Sequence, residues 1–411
     1  MPRDHQESIE NRRSWVVAIA STMIVFVGWG TIYIIVVNLK PIAADLGVAR
    51  SVPSLAYSLA YFGTGLGGIA AAWWADRAGA MAPALLGSVA LGLGCILASM
   101  GAEWQLYLGH GLLIGLLGNA GIFAPLMANV SRWFDLRRGT ALALVASGQQ
   151  IAGAIWPPLF RYLSDAVGWR GTFFWYGIFA LVTMTPLCFF LRGKPPAPTP
   201  AATAQDPRPG LVLSLPPNLI QALICAAIVC CCIAMSMPMS HLVAFCSDLG
   251  YLPARGAEML SLLLGSAFLS RMFWGRLSDR VGGLMTVLIG SFCQAVFLSF
   301  YLFVDGLVGL YLVSAAFGLG FGGIVPSYVL AIRQLFPAAD AGWRIATVVL
   351  FGLLGMALGG WLGGFIYDWA AYYKPAFAAG VAFNVLNLLL IGSLVRRERG
   401  GPMRASFASA T

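Results

Sequence analysis

The chain has 411 residues, of which 59% are hydrophobic and only 10% charged. A water-facing surface needs more charge than that, so a soluble globular fold is excluded. The net charge of +9 would suit a nucleic-acid partner, but the basic residues sort by side of the apolar runs, and no nucleic-acid contact is expected.

The N-terminal stretch MPRDHQESIENRR is polar and has no signal-peptide core, which places it in the cytoplasm. Apolar runs of about twenty residues follow, separated by short polar turns. Twelve spans are expected, at 14–39, 51–74, 81–99, 105–130, 140–164 and 170–191, then 218–245, 254–277, 284–303, 306–333, 345–367 and 375–394. The fold class is therefore an all-α membrane protein with two six-helix bundles. Between the sixth and seventh spans lies GKPPAPTPAATAQDPRPG, 193–210, too rich in proline to be helical. The expected organisation is an N-terminal bundle over 1–192, a cytoplasmic linker over 193–216, and a C-terminal bundle with its tail over 217–411.

Most of the 25 Lys and Arg residues fall on one side, among them Arg12, Arg13, Arg77, Arg132, Arg137, Arg138, Arg280, Arg344, Arg396 and Arg397. Lys40, Arg50, Arg161, Arg170, Arg255 and Lys374 fall on the other. The positive-inside rule then puts both termini in the cytoplasm of a plasma or bacterial inner membrane. Asp76-Arg77-Ala78-Gly79 followed by Leu86-Gly87-Ser88 recurs as Asp279-Arg280-Val281-Gly282 followed by Ile289-Gly290-Ser291. The two copies sit in equivalent turns, so the halves read as duplicated, with a site expected between them at mid-depth.

Arg271 is the basic residue placed well inside a span. Eight residues separate it from Asp279, roughly 12 Å of helix, close to the middle of a bilayer core roughly 30 Å thick. A guanidinium there is costly unless it faces a cavity and meets an anion. Gly275, one turn on, reads as a sign of close helix packing on the same face. The eight cysteines have no metal-ligand spacing and read as core residues. There is no nucleophile–base pair, metal cluster or cofactor motif. No catalytic residue, cofactor or metal is expected, and the chain does not read as an enzyme.

Gly275–Gly283, GRLSDRVGG, resembles the turn motif G-x-L-a-D-r-x-G of the major facilitator superfamily, and Ala72–Gly79 resembles its first-half copy with Ala72 in place of glycine. Pro125, then Arg132-Trp133-Phe134-Asp135-Leu136-Arg137-Arg138-Gly139 running into Ala146-Ser147-Gly148, resembles the monocarboxylate transporter and oxalate/formate antiporter branch. So does Ser270-Arg271-Met272-Phe273-Trp274-Gly275. The resemblance implies that Arg271 binds a substrate carboxylate. Where members of the branch carry a further aspartate or lysine, this chain has Ala267, Tyr33 and Gly352, leaving one cation and favouring a monoanion.

Around that cation Tyr33, Tyr57, Tyr61, Asn119, Phe123, Gln149 and Phe321 are candidate pocket residues, with Gln150 and Tyr328 beside them. Asp76, Arg77, Asp279, Arg280, Arg137 and Arg138 are expected to gate, the two aspartates by capping helix starts and pairing with arginines. Asp248 and Glu258 are candidates for proton entry from outside. His110 and His241 read as histidines at the outer interface. Pro238 is expected to kink span seven. The functional expectation is a monomeric secondary transporter of a small carboxylate, working by alternating access with proton symport. Anion exchange is the alternative, and a non-transporting membrane sensor a further one.

Overall fold

The helices follow the apolar runs. In the N-terminal half they are α1 (Arg12–Val37), α2 (Leu39–Leu46), α3 (Ser51–Ala78), α4 (Met81–Ser99), α5 (Glu103–Leu108), a π-helical stretch Gly109–Asn119, α6 (Ala120–Ile122), α7 (Ala124–Trp133) and α8 (Arg138–Phe189). The C-terminal half holds α9 (Pro217–Asp248), α10 (Pro253–Val281), α11 (Gly283–Phe300), α12 (Leu307–Phe321), α13 (Ile324–Leu335), α14 (Ala338–Ala370) and α15 (Lys374–Gly400). This computed structural model describes residues 10–134, 137–193, 213 and 215–400. Most of the expected linker, both chain ends and Asp135-Leu136 lie outside the described residues. The chain divides into two units, Met1–Thr203 and Ala204–Thr411.

Ten helices among the described residues are long and apolar enough to cross a membrane. One of them, α8, has 52 residues, and Gly168 interrupts it with φ 72° and ψ 170°. That backbone is easy only for glycine, and it falls between the expected fifth and sixth spans. Helix α10 is 29 residues long but is not among the ten, because Glu258 and Arg271 lower the hydropathy of its apolar stretch. Helix α9 runs unbroken through Pro238.

In the N-terminal unit α1 is clamped by α8. Trp156 Nε1 donates to the Phe26 carbonyl at 3.0 Å and Tyr176 Oη to the Val27 carbonyl at 2.6 Å. The Trp156 ring stacks on Phe26 at 5.0 Å and on Phe160 at 5.4 Å. Two aromatic donors thus reach backbone acceptors that a β-branched side chain could not cover, and their rings fill the interface.

The C-terminal unit is joined by a buried polar network. Tyr328 Oη donates to Asn387 Oδ1 at 2.8 Å, Asn387 Nδ2 to Ser291 Oγ at 2.8 Å, and Asn384 Nδ2 to the Ser291 carbonyl at 2.9 Å. Gln294 Nε2 donates to the Cys231 carbonyl at 3.1 Å. Each group is buried and each has a partner, so the network ties α9, α11, α13 and α15 in one arrangement. All eight cysteines are free. Arg344, counted with the charges of the cytoplasmic side, is buried, at 4% exposed. Its guanidinium lies over the Phe336 ring at 4.1 Å and the Trp343 ring at 4.4 Å, where the ring faces attract the cation.

Candidate functional site

Helix α10 presents Arg271. The helix packs through Leu263, Ser266, Ala267, Ser270 and Trp274, which recur every three or four residues on one face. Opposite them on α12 and the turn after it are Gly318, Gly322 and Gly323. A Cβ at any of the three would overlap α10: Leu263 at Gly318, Ser270 and Ala267 at Gly322, Trp274 at Gly323. Trp274 Nε1 also donates to the Leu319 carbonyl at 2.7 Å. Arg271 lies beside this face and is partly buried. Its Nε atom is buried without a hydrogen-bond partner, and no hydrogen bond or ion pair joins the guanidinium to any described residue.

Gly275 corrects the sequence reading. A Cβ there would meet nothing within 4 Å, so this glycine marks open space beneath Arg271. The close packing belongs to the glycines of the partner helix instead. Aligning Asp76 with Asp279 sets Gly68 opposite Arg271 in the first half. Gly68 also faces open space. The two halves therefore differ at this position, with glycine in the first copy and a cation in the second.

In the N-terminal unit the aromatic candidates come together around Trp29, which the sequence reading missed. The Trp29 ring lies 5.6 Å from Tyr61 and 5.8 Å from Phe123, and Tyr57 is 4.9 Å from Tyr61. Consecutive spans alternate in direction, so one turn forward on α1 is level with one turn back on α3 and on the fourth span. By that geometry Tyr33, Tyr57 and Asn119 form a second layer about 6 Å beyond the first. Trp29 Nε1, Tyr33 Oη and both amide atoms of Asn119 are buried without hydrogen-bond partners. Such groups cost about 1–3 kcal/mol each unless water or a ligand meets them.

Asn119 ends the π-helical stretch, and the helix bends at Phe123, where ψ is −68°, just before Pro125. The tenth span breaks in the corresponding place, at Gly322-Gly323 before Pro326. These interruptions were legible only as prolines. A wider π turn and a bend aim side chains that a straight helix would not. Gln149 is partly exposed, and Gln150 is buried with an unpartnered Oε1. Phe321 is buried in the C-terminal unit and packs on Phe317 at 5.4 Å. Tyr328 belongs to the core network and not to a pocket.

The charged turns differ between the copies. Asp76 pairs with Arg132, and the Arg77 guanidinium lies 3.6 Å over the Trp73 ring. Asp279 and Arg280 make no hydrogen bond or ion pair with a described residue. Neither aspartate caps a helix start: the caps are Ala80 and Gly282, without side-chain bonds. Gln334 Oε1 accepts from the Gly283 N–H at 2.8 Å instead, because each aspartate sits in the last turn of the preceding helix. The Arg137 backbone N–H donates to Glu10, and Arg138 Nε donates to the Phe134 carbonyl at 3.0 Å.

At the other end, Glu258 accepts from Arg255 Nη1 at 3.0 Å and from the Tyr311 hydroxyl. Asp248 closes α9 and is exposed. His110 and His241 are fully buried within the helix packing. His110 Nδ1 lies 2.9 Å from the Leu106 carbonyl, and His241 Nε2 lies 2.8 Å from the Gly360 carbonyl.

A family model described as "Major Facilitator Superfamily" matches residues 18–269 and 224–410. The chain is 27% identical over 353 residues to monocarboxylate transporter 13 of Bos taurus, covering 83% of this chain and 78% of that one. It is 28% identical over 338 residues to monocarboxylate transporter 11 of Homo sapiens, covering 78% and 68%. It is 24% identical over 328 residues to the MFS-type transporter pynF of Aspergillus niger, covering 79% and 74%. Among solved structures, a bacterial homologue of the human lysosomal transporter Spinster, inward-facing and occupied, superposes with a TM-score of 0.75. The sequence identity there is 14%, with 94% of this chain and 97% of that chain covered, so the likeness is one of fold.

Proposed function

The chain belongs to the major facilitator superfamily, and from that premise we propose that it is a secondary active transporter of a small monocarboxylate, working by alternating access. It crosses the membrane twelve times: Gly168 divides α8 into two spans, and α10 supplies the one that hydropathy alone passes over. The segment 193–216 is a cytoplasmic linker between the halves, and both termini are cytoplasmic. The protein is a monomer of a plasma or bacterial inner membrane and does no enzymatic chemistry.

The observation that carries this reading is the unpartnered guanidinium of Arg271 in the interior of α10. Its planar fork fits a carboxylate with two parallel hydrogen bonds. While the site is empty the charge has no counterion, which penalises reorientation and makes transport depend on bound anion. Further candidate substrate contacts, each placed within its own unit, are the aromatic walls and donors of Trp29, Tyr33, Tyr57, Tyr61, Asn119, Phe123 and Gln149 in the N-terminal unit and Phe321 in the C-terminal unit. The relatives named monocarboxylate transporters point the same way.

Proton symport would neutralise the anion. No Asp or Glu is buried among the described residues, so the proton travels on the substrate–arginine pair or enters near Asp248 or Glu258. That same lack of a buried acid favours the second reading, exchange of one anion for another. Uptake into proteoliposomes under an imposed pH gradient decides between them. Acceleration by external acid supports symport, whereas dependence on internal anion alone supports exchange. A protein that moves no carboxylate under either condition refutes both.

A further inference from the structure

The described structure has a groove of about 560 Å³ along α15, lined by Leu388, Leu389, Gly392, Ser393, Arg396 and Arg397. It is independent of the transport reading. Its chemistry is graded along the helix. Leu388 and Leu389 form one end, and Leu389 is 67% exposed. Gly392 forms the floor: a Cβ there would meet only Leu288 Cδ1, at 3.9 Å. The exposed Ser393 donates to the Leu390 carbonyl at 2.7 Å, which leaves its oxygen facing the groove as an acceptor. Arg396 and Arg397 close the other end, and neither makes a hydrogen bond or ion pair with a described residue. Eight residues, roughly 12 Å, separate the leucines from the guanidiniums.

We propose that this groove binds an anionic phospholipid, with the headgroup phosphate on Arg396 and Arg397 and the upper acyl chain on Leu388 and Leu389 over Gly392. Charge complementarity fixes the occupant. Two adjacent cations without protein partners terminate an exposed apolar helix of which only 33% of the most apolar window is buried. Positive inside-facing ends attract anionic headgroups. A soluble anion would leave the leucines uncovered, and a zwitterionic lipid would bring its own cation towards the arginines. Arginines at a span end also snorkel with no specific lipid. What separates the two is the notch at Gly392, which a nonspecific charge effect does not use.

The test is native mass spectrometry of the full chain with phosphatidylglycerol and phosphatidylcholine. The wild-type chain, the double variant Arg396→Gln/Arg397→Gln and the single variant Gly392→Leu are compared. Both variants change exposed or open positions on a regular helix, and unchanged thermal unfolding verifies their folding. The expected result is one retained phosphatidylglycerol per wild-type chain and a loss of roughly tenfold or more in affinity in both variants. Millimolar inorganic phosphate should not displace the lipid. Equal retention of the two lipids, undiminished binding by either variant, or displacement by phosphate alone would overturn the proposal.

Discussion

Replacing Arg271 with methionine separates a ligand-binding charge from a structural one. Methionine keeps an unbranched chain of similar reach and removes the charge. A structural guanidinium would have a counterion, and deleting one partner of a buried pair costs about 3–5 kcal/mol. Arg271 has no described partner and a buried, unsatisfied Nε. Its removal relieves a penalty of about 1–3 kcal/mol instead. For a unit of about two hundred residues, that raises Tm by about 2–12 °C. Binding moves the opposite way. Two charge-assisted hydrogen bonds contribute about 3–6 kcal/mol, so affinity for the carboxylate falls by about 10²–10⁴-fold. The assay is thermal unfolding of the purified protein by tryptophan fluorescence, with and without a panel of small carboxylates, beside proteoliposome uptake. Arg271→Met should melt higher than wild type when empty, lose any carboxylate-induced rise in Tm, and transport nothing. Arg271→Lys keeps the charge without the fork and should also fail at substrate levels near the wild-type KM. A Tm lowered by several degrees, or retained uptake in Arg271→Met, would refute the reasoning.

Other substitutions probe the surroundings. Asn119→Leu removes two buried, unpartnered polar atoms; the protein should fold with undiminished Tm while KM rises by about 10-fold or more, measured by initial uptake rates. Gly323→Val would drive a side chain into Trp274, and overpacking of about 1–3 kcal/mol should show as a lower Tm without a change in substrate selectivity. Asp76→Asn removes a largely exposed ion pair with Arg132. Stability should change by less than about 1 kcal/mol, while the rate of uptake shifts if the pair holds a gate; an unchanged rate would make it a surface contact only.

The sequence made the helices and their approximate ends readable because each must bury or immerse an apolar length fixed by the membrane. It also singled out Arg271, since a charge inside such a run has no ordinary explanation. Three features escaped it for a common reason. Trp29 looked like any apolar residue of α1, yet it is the contact that brings Tyr61 and Phe123 together. Gly275 looked like a packing glycine, but the overlap occurs across the interface at Gly322 and Gly323. His110 and His241 looked interfacial from their places near span ends, and neighbouring helices bury them. Each depends on what the adjacent helix presents, and that is not a local property of the chain. The aspartates of the repeated turn are instructive in the same way: similar motifs gave one ion pair and one carboxylate without a described partner, because the partner lies on another span.

The glycine strip Gly318, Gly322 and Gly323 constrains how α10 can ever move. With backbone pressed against Ser270 and Trp274, α10 cannot roll about its own axis without forcing the indole out and breaking its bond to the Leu319 carbonyl. The packing favours α10 and α12 moving as a single rod. Under the alternating access proposed above, exposing Arg271 to one side of the membrane and then the other would carry that rod along whole; a twist of its bearer alone would not do it.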